Sequence, residues 1–413
     1  APTIRYNNGR FYMVTTNDTT HRNFYVYTDD IHGEWSDPIT IDQDGIDPSL
    51  YFEDGRAFFI SNGTDCEGKG GVVQCEINIE TGEKLTESRC IWQGSGGRYL
   101  ESPHMYKIGK YYYLMAAEGG TEYGHMITYA RSESVWGKFE GYPHNPVLTN
   151  RNKAPFIIQG IGHGDLIQDK NGEWHIICLG FRQIHMWMTY HHLGRECFLI
   201  PVTFHEDGWF TAGNGTCEES YELSGDFAQL PLKSYTLENI GHDICHLRHP
   251  HTENYSITKD KITLKGTDVT LDDVDSPTFA GVRQRDFDMD CSVSVSVSDG
   301  EGGLTVYSCE TEHYDLALRK NEGGYEAILR LNIGGIRHIE KAVQIPSGSA
   351  KLIIRSDSQV YKFFVQSQGE EIPMGFAMSK YLSSEVCGGF TGTVIGMYAV
   401  KGSAEFTDLR ISY

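Results

Sequence analysis

In the first half of the chain, short apolar runs that turn at a glycine and return through aromatic or β-branched residues recur four times. Ala1-Pro2-Thr3-Ile4 runs up to Gly9 and returns through Arg10-Phe11-Tyr12-Met13-Val14, and Asp47-Pro48-Ser49-Leu50 runs up to Gly55 and returns through Arg56-Ala57-Phe58-Phe59-Ile60. Glu101-Ser102-Pro103-His104 up to Gly109 returns through Lys110-Tyr111-Tyr112-Tyr113-Leu114, and His163-Gly164-Asp165-Leu166 up to Gly172 through Glu173-Trp174-His175-Ile176-Ile177. Each copy reads as a β-hairpin, and a spacing of roughly 50 residues predicts a β-propeller with one blade per repeat. Further strand-like runs follow each hairpin, such as Asn23-Phe24-Tyr25-Val26-Tyr27 and Met126-Ile127-Thr128-Tyr129-Ala130, giving four strands per repeat. A propeller gathers the starts of its innermost strands around one axis, so Asp47, Glu101 and His163 are expected to converge there.

The phrase stops near residue 222. A turn-rich stretch, Ser224-Gly225-Asp226 through Pro231-Leu232-Lys233, reads as a linker. Beyond it, Cys291-Ser292-Val293-Ser294-Val295-Ser296-Val297 and Lys351-Leu352-Ile353-Ile354-Arg355 alternate with period two, which predicts a β-sandwich with one polar and one buried face per sheet. The expected organisation is a propeller over 1–222, a linker over 223–245 and a sandwich over 246–413, an all-β chain throughout.

Composition narrows the partners. With 46 Gly and 24 Tyr, the chain suits many short strands joined by tight turns. A formal charge of −21 argues against nucleic acid or an anionic membrane and fits a neutral ligand. No apolar run reaches the roughly 18 residues of a membrane span. The ten cysteines are dispersed without a C-x-x-C pair and read as reduced core thiols, hence a cytoplasmic protein. Homo-oligomerisation is compatible with this reading.

Asp47 and Glu101 each lie eight residues before their hairpin glycine, which would set both carboxylates at one depth of the axial pocket. Two facing carboxylates are what acid/base cleavage of a glycosidic bond requires, although Asp-Pro and Glu-Ser-Pro also serve as ordinary strand punctuation. His163 heads the fourth copy, where a ligand or metal role competes with a structural hydrogen bond. His185, His191 and His192 lack helical i, i+4 spacing and a cysteine pair, so zinc is not expected there. Arg195-Glu196 reads as a surface pair, of interest for its nearness to the fourth repeat.

At these residues the chain resembles a known family. Gly45-Ile46-Asp47-Pro48-Ser49-Leu50, Leu100-Glu101-Ser102-Pro103-His104, Ala117-Glu118-Gly119-Gly120-Thr121-Glu122 and Leu193-Gly194-Arg195-Glu196 resemble, in order, the β-xylosidase and α-L-arabinofuranosidase branch of glycoside hydrolase family 43. Ser276-Pro277-Thr278-Phe279 and Gly388-Gly389-Phe390-Thr391-Gly392 are similar to that branch's C-terminal domain. The resemblance implies a five-bladed propeller followed by a concanavalin-like sandwich, and an inverting, exo-acting hydrolase of xylo-oligosaccharides or arabinoxylan-derived oligosaccharides. It implies that Glu101 is the general acid and that Asp47 is the carboxylate orienting it and raising its pKa. By the same resemblance Arg195 bonds the sugar hydroxyls, Phe390 walls the pocket, and His163 stands near the axis, where family members hold a calcium ion through a histidine and waters.

One departure stands out. The family carries its general base on an Asp-Pro phrase in a blade before the segment that begins here at Ala1, so four of five blades are visible. Asp37-Pro38 follows a Trp-Ser pair typical of an outer strand and is not assigned as the base. The expectation is an active enzyme whose first blade lies outside this sequence; the alternative is a carbohydrate-binding propeller without catalysis. The insert Phe181 to Trp187 is expected to line the leaving-group side of the pocket.

Overall fold

A computed structural model describes residues 1–184, 187–223 and 232–413. The chain divides into two compact units, Ala1–Phe181 with Glu196–Phe227, and Arg182–Arg195 with Ala228–Tyr413.

The first unit holds four antiparallel sheets of four strands. They comprise β1 (Thr3–Asn7), β2 (Arg10–Thr16), β3 (Asn23–Thr28) and β4 (Ile39–Ile41), then β5 (Ser49–Glu53), β6 (Arg56–Thr64), β7 (Gly70–Ile77) and β8 (Arg89–Trp92). The third is β9 (Glu101–Ile108), β10 (Tyr111–Glu118), β11 (Met126–Ser132) and β12 (Glu140–Gly141), and the fourth β13 (Ile158–Gln168), β14 (Trp174–Arg182), β15 (Glu196–Phe204) and β16 (Phe210–Ala212). Every repeated phrase forms the first hairpin of its sheet, as the pattern predicts.

Two-residue turns close three of those hairpins. Asn8-Gly9 and Asp54-Gly55 carry positive φ at both positions (49° and 88°, 50° and 76°), the type I′ geometry that Asn-Gly and Asp-Gly favour. In the third hairpin Ile108 pairs with Tyr111, and only Gly109, the first turn residue, has positive φ, at 59°. That is the pattern of a type II′ turn.

Sheets pack face to face through alternate residues. In β6, Phe59 joins the core with Val14, Tyr25 and Leu50, while Phe58 and Ile60 point the other way onto Met105 and Leu114. In β10, Leu114 faces back to β6, and Tyr113 and Met115 face on to Ile127, Ile161 and Ile176. The period of two therefore serves two cores per sheet, which is why these strands read as continuous apolar runs.

The second unit is a sandwich of two antiparallel sheets. One contains Tyr255–Ile257, Ile262–Gly266, Gly402–Ser412, Met289–Val297, Ser349–Ser356, Val360–Ser367 and Glu370–Met378; the other contains Thr278–Arg283, Val394–Val400, Glu301–Cys309, Glu312–Asn321, Gly324–Ile333 and Ile336–Ile345. Val293, Leu352 and Phe363 from the first meet Leu316, Leu329 and Met397 from the second in one core. Most of the turn-rich stretch expected as a linker lies outside the described residues. Tyr235–Thr236, at its far end, is already paired onto Gly402–Ser412. All ten cysteines are unpaired, and Cys75, Cys178, Cys217 and Cys291 are buried. No helix among the described residues is long and apolar enough to cross a membrane.

Candidate active site

Asp47, Ser102 and His163 meet at one point of the first unit. The Ser102 hydroxyl donates to Asp47 Oδ2 at 3.0 Å and lies 2.7 Å from His163 Nδ1. Since the hydroxyl has one hydrogen, His163 Nδ1 carries its own and donates it to Ser102 Oγ. His163 Nδ1 is 3.9 Å from Asp47 Oδ2. All three residues are left-handed, with φ of 51° at Asp47, 54° at Ser102 and 48° at His163. Non-glycine residues pay for that conformation, and it recurs where three strands begin or bend toward the same site.

The equal spacing of Asp47 and Glu101 from their glycines does not make them equivalent. Gly55 is the second residue of its turn and Gly109 the first, so counting to the glycine is offset by one. From the closing pairs Glu53↔Arg56 and Ile108↔Tyr111, Ser49 matches His104 and Asp47 therefore matches Ser102. Glu101 stands one residue earlier, across a bulge where β10 pairing jumps from Met115↔His104 to Ala117↔Glu101. The bulge adds a residue to β9 and re-aims its first side chain.

Charge separates the two carboxyls. Glu101 is half-buried, and its carboxyl is pushed above the ordinary value first by burial and then by the negative charge of Asp47. Burial also works against the Asp47 carboxylate, but the nearby His163 and the Ser102 hydroxyl oppose it, and its pKa is held down. One carboxyl thus keeps its proton to higher pH while its neighbour stays ionised, the split that acid/base pairs use.

Beneath this layer lies a second one. Arg5 of β1 donates to Asp165 of β13 through two nitrogens, at 2.7 and 3.1 Å, and its Nη2 is 2.9 Å from His104 Nδ1 of β9. Tyr106 donates to the same Asp165 carboxylate and accepts from the Leu166 amide at 2.9 Å. Burial pushes His104 down to about 4. Burial opposes the Asp165 carboxylate, yet His104, Arg5 and Tyr106 together hold it at about 2. The sequence reading missed Arg5, Ser102, His104, Tyr106 and Asp165. The available signal was a polar residue inside each apolar run, at the third position of three phrases (Thr3, Ser49 and Asp165) and at the fourth of the other (His104).

Glu118, the buried end of β10, accepts from the Ser95 amide at 2.7 Å, the Gly97 amide at 2.5 Å and the Thr128 hydroxyl at 2.8 Å. It pins the 95–97 turn that precedes β9. Asp37 is exposed ahead of β4, the outer strand of its sheet, in keeping with its not being assigned.

Arg195 and Phe390 belong to the second unit and are paired there. The Arg195 amide donates to Phe390 O at 3.1 Å, and its guanidinium sits 4.8 Å over the Phe390 ring. Gly194, with φ of 72°, lets the two segments cross: a Cβ there would lie 2.5 Å from Gly392 N. His191 Nδ1 is 2.8 Å from Glu385 Oε1, while His192 is buried between Phe287 and Tyr361. His185 lies outside the described residues, as does Met186 of the insert. Phe181, at the start of that insert, packs on Tyr123, and Trp187 at its end is exposed.

Comparison with known proteins gives this geometry a family. Residues 1–210 match the profile of glycosyl hydrolases family 43, and residues 234–410 match that of the β-xylosidase C-terminal concanavalin A-like domain. A non-reducing end α-L-arabinofuranosidase of Bacteroides ovatus is 37% identical over 97% of this chain and 77% of its own length. A xylosidase/arabinosidase of Butyrivibrio fibrisolvens is 30% identical over 97% of this chain and 82% of its own. Among solved structures, the family 43 protein B of a Bacteroides ovatus xyloglucan locus superposes with a TM-score of 0.91 at 35% identity, covering 99% of this chain and 84% of that one. With both profiles matched in order and relatives of this identity and coverage, the chain belongs to glycosyl hydrolases family 43 and is a glycosidase.

Proposed function

We propose that the protein is an exo-acting, inverting glycosidase that releases xylose or arabinofuranose from the ends of xylan-derived oligosaccharides. The observation that carries this reading is Glu101, a half-buried carboxyl whose proton affinity is raised beside an ionised Asp47. In the proposed step Glu101 gives its proton to the leaving oxygen as the glycosidic bond breaks, and Asp47 keeps that proton available near neutral pH. Inversion needs a base on the opposite face of the sugar, about 6.5–9.5 Å from the acid. We assign that base to none of the described residues. A five-bladed ring with the base on a blade other than the four described is the arrangement this reading calls for.

Arg195 and Phe390 are proposed to act as a unit, the guanidinium on sugar hydroxyls and the ring against the sugar face. The segment after Phe181 is proposed to shape the leaving-group side. Both arabinofuranosidases and xylosidases among the relatives support the substrate class. Ten unpaired cysteines support the expected cytoplasmic location.

Calcium takes roughly six to eight oxygen ligands. Around His163, Asp47 and Asp165 are already hydrogen-bonded, so these side chains fit an ion held by His163 and water, not a protein cage. Bound there, calcium would supply positive charge against sugar hydroxyls; the acid step stands without it. Its test is a gain in activity on adding Ca²⁺ to chelated protein that Mg²⁺ does not reproduce.

The reading as a whole is tested by following the anomer first released from unactivated xylo-oligosaccharides and arabinoxylan-derived oligosaccharides by NMR, with wild type and Glu101→Gln. Inverted product and a loss of roughly 10²–10⁴-fold in the variant are expected. Retained configuration, or a variant keeping more than about a tenth of the rate, would overturn it. Saccharide binding without turnover by the wild type would leave the non-catalytic alternative.

A further inference from the structure

In the sandwich, two thiols and a carboxylate come together. Cys309 ends strand Glu301–Cys309, Glu312 opens the next strand, and Cys387 ends the short helix Ser384–Cys387. One donor atom from each lies within 4.8 Å of the other two. Glu312 is only 5% exposed. Its Oε1 accepts from the Gly334 amide at 3.0 Å, and its Oε2 accepts from the Cys309 thiol at 2.8 Å and from the Thr311 hydroxyl. Among the described residues it has no cationic partner. A buried carboxylate without one is costly, and two adjacent thiols are the soft donors that a divalent metal of borderline hardness prefers.

We propose that Cys309, Glu312 and Cys387 bind a zinc ion, with water as the fourth ligand. Zn–S near 2.3 Å and Zn–O near 2.0–2.2 Å place tetrahedral donors about 3.6–3.8 Å apart. The thiol proton between Cys309 and Glu312 is replaced by the ion, which opens their contact by less than about 1 Å from the hydrogen-bonded distance. Binding is balanced as Zn²⁺ entering and two thiol protons leaving, one each from Cys309 and Cys387, while the carboxylate coordinates as it stands. The Gly334 amide already fixes the Glu312 carboxylate from its far side. Both cysteines are partly exposed, which gives the ion and its water a route in.

A hard cation such as calcium would not select thiolates. A Cys309–Cys387 disulfide is the competing outcome, but it would remove a hydrogen-bond donor from Glu312 and leave the buried charge worse served. The metal would tie the 384–387 helix, and with it the loop carrying Phe390, to the Cys309–Glu312 hairpin.

The test uses the whole protein, stripped by chelation under reducing conditions, then loaded with Zn²⁺ or Co²⁺ and freed of excess metal. Expected are about one tightly held ion per chain and a thiolate-to-cobalt charge-transfer band. Mapping of alkylated peptides should show zinc protecting Cys309 and Cys387 while Cys66 and Cys197, which are exposed, still react. Cys387→Ser should weaken zinc binding by roughly 100-fold or more, and Glu312→Gln should also weaken it. No retained ion, equal alkylation of Cys309 and Cys387 with and without zinc, or a Cys309–Cys387 disulfide that persists in preference to metal loading would each overturn the site. The alkylation map needs no variant, so a misfolded Cys387→Ser does not blunt the test.

Discussion

Ser102 Oγ lies 3.0 Å from Asp47 Oδ2 and holds in its own sheet the place that Asp47 holds in the preceding one. Glu101 is therefore free of that hydrogen-bonded layer, one residue upstream, with its proton affinity set by burial and by the charge of Asp47.

Replacing Asp47 by Asn removes the charge that raises the Glu101 pKa and leaves the contribution of burial. The acid must be protonated to work, so the alkaline limb of the kcat/KM profile should move to lower pH. A pH–rate profile checks this. An alkaline limb that stays in place would show that the two carboxyls are not coupled.

Acid assistance matters least when the leaving group departs easily. Glu101→Gln should therefore lose roughly 10²–10⁴-fold on a natural disaccharide and far less on a dinitrophenyl glycoside. Equal losses on both would point to a structural role for Glu101.

Asp165 is held at about 2 in the folded chain against an ordinary 3.8. A depressed carboxylate adds stability above its unfolded pKa and loses it as pH falls toward the folded one. The contribution, on the order of 2 kcal/mol, is thus full above about pH 4 and fades toward pH 2. Asp165→Asn should lower stability at pH 7 by about 1.5–3 kcal/mol, since Arg5 loses a two-pronged partner. Denaturant melts at pH 7 and pH 3 test the sign: the gap between wild type and variant should narrow in acid.

Gly194→Ala forces a Cβ to within 2.5 Å of the Gly392 backbone at a φ of 72°. Neither segment yields cheaply, so Arg195 and Phe390 should separate. Expected are a lower Tm and a raised KM with a smaller change in kcat. An unchanged KM in a folded variant would remove Arg195 and Phe390 from sugar binding.

The architecture was legible because hairpins announce themselves locally: Asn8-Gly9 and Asp54-Gly55 specify their turns with two residues each. The site was legible in type but not in register. Type I′ and type II′ turns put glycine in different places, and a bulge opposite Met115 to Ala117 shifts β9, so equal spacing suggested an equivalence between Asp47 and Glu101 that belongs to Asp47 and Ser102. The Arg5–Asp165–His104 layer was illegible for another reason. Its members lie 99 and 160 positions from Arg5 and meet only once three sheets are assembled. The trio of Cys309, Glu312 and Cys387 likewise depends on a return of the chain that no local pattern marks.

The left-handed backbone at Asp47, Ser102 and His163 restricts the amino-acid alphabet at the site. Short polar side chains and glycine tolerate that conformation, whereas β-branched residues do not. Directed evolution of specificity should accordingly find few viable letters at these three positions and more at Phe390, which is exposed and not left-handed. Backbone sterics would then limit change at these positions independently of any selection on function.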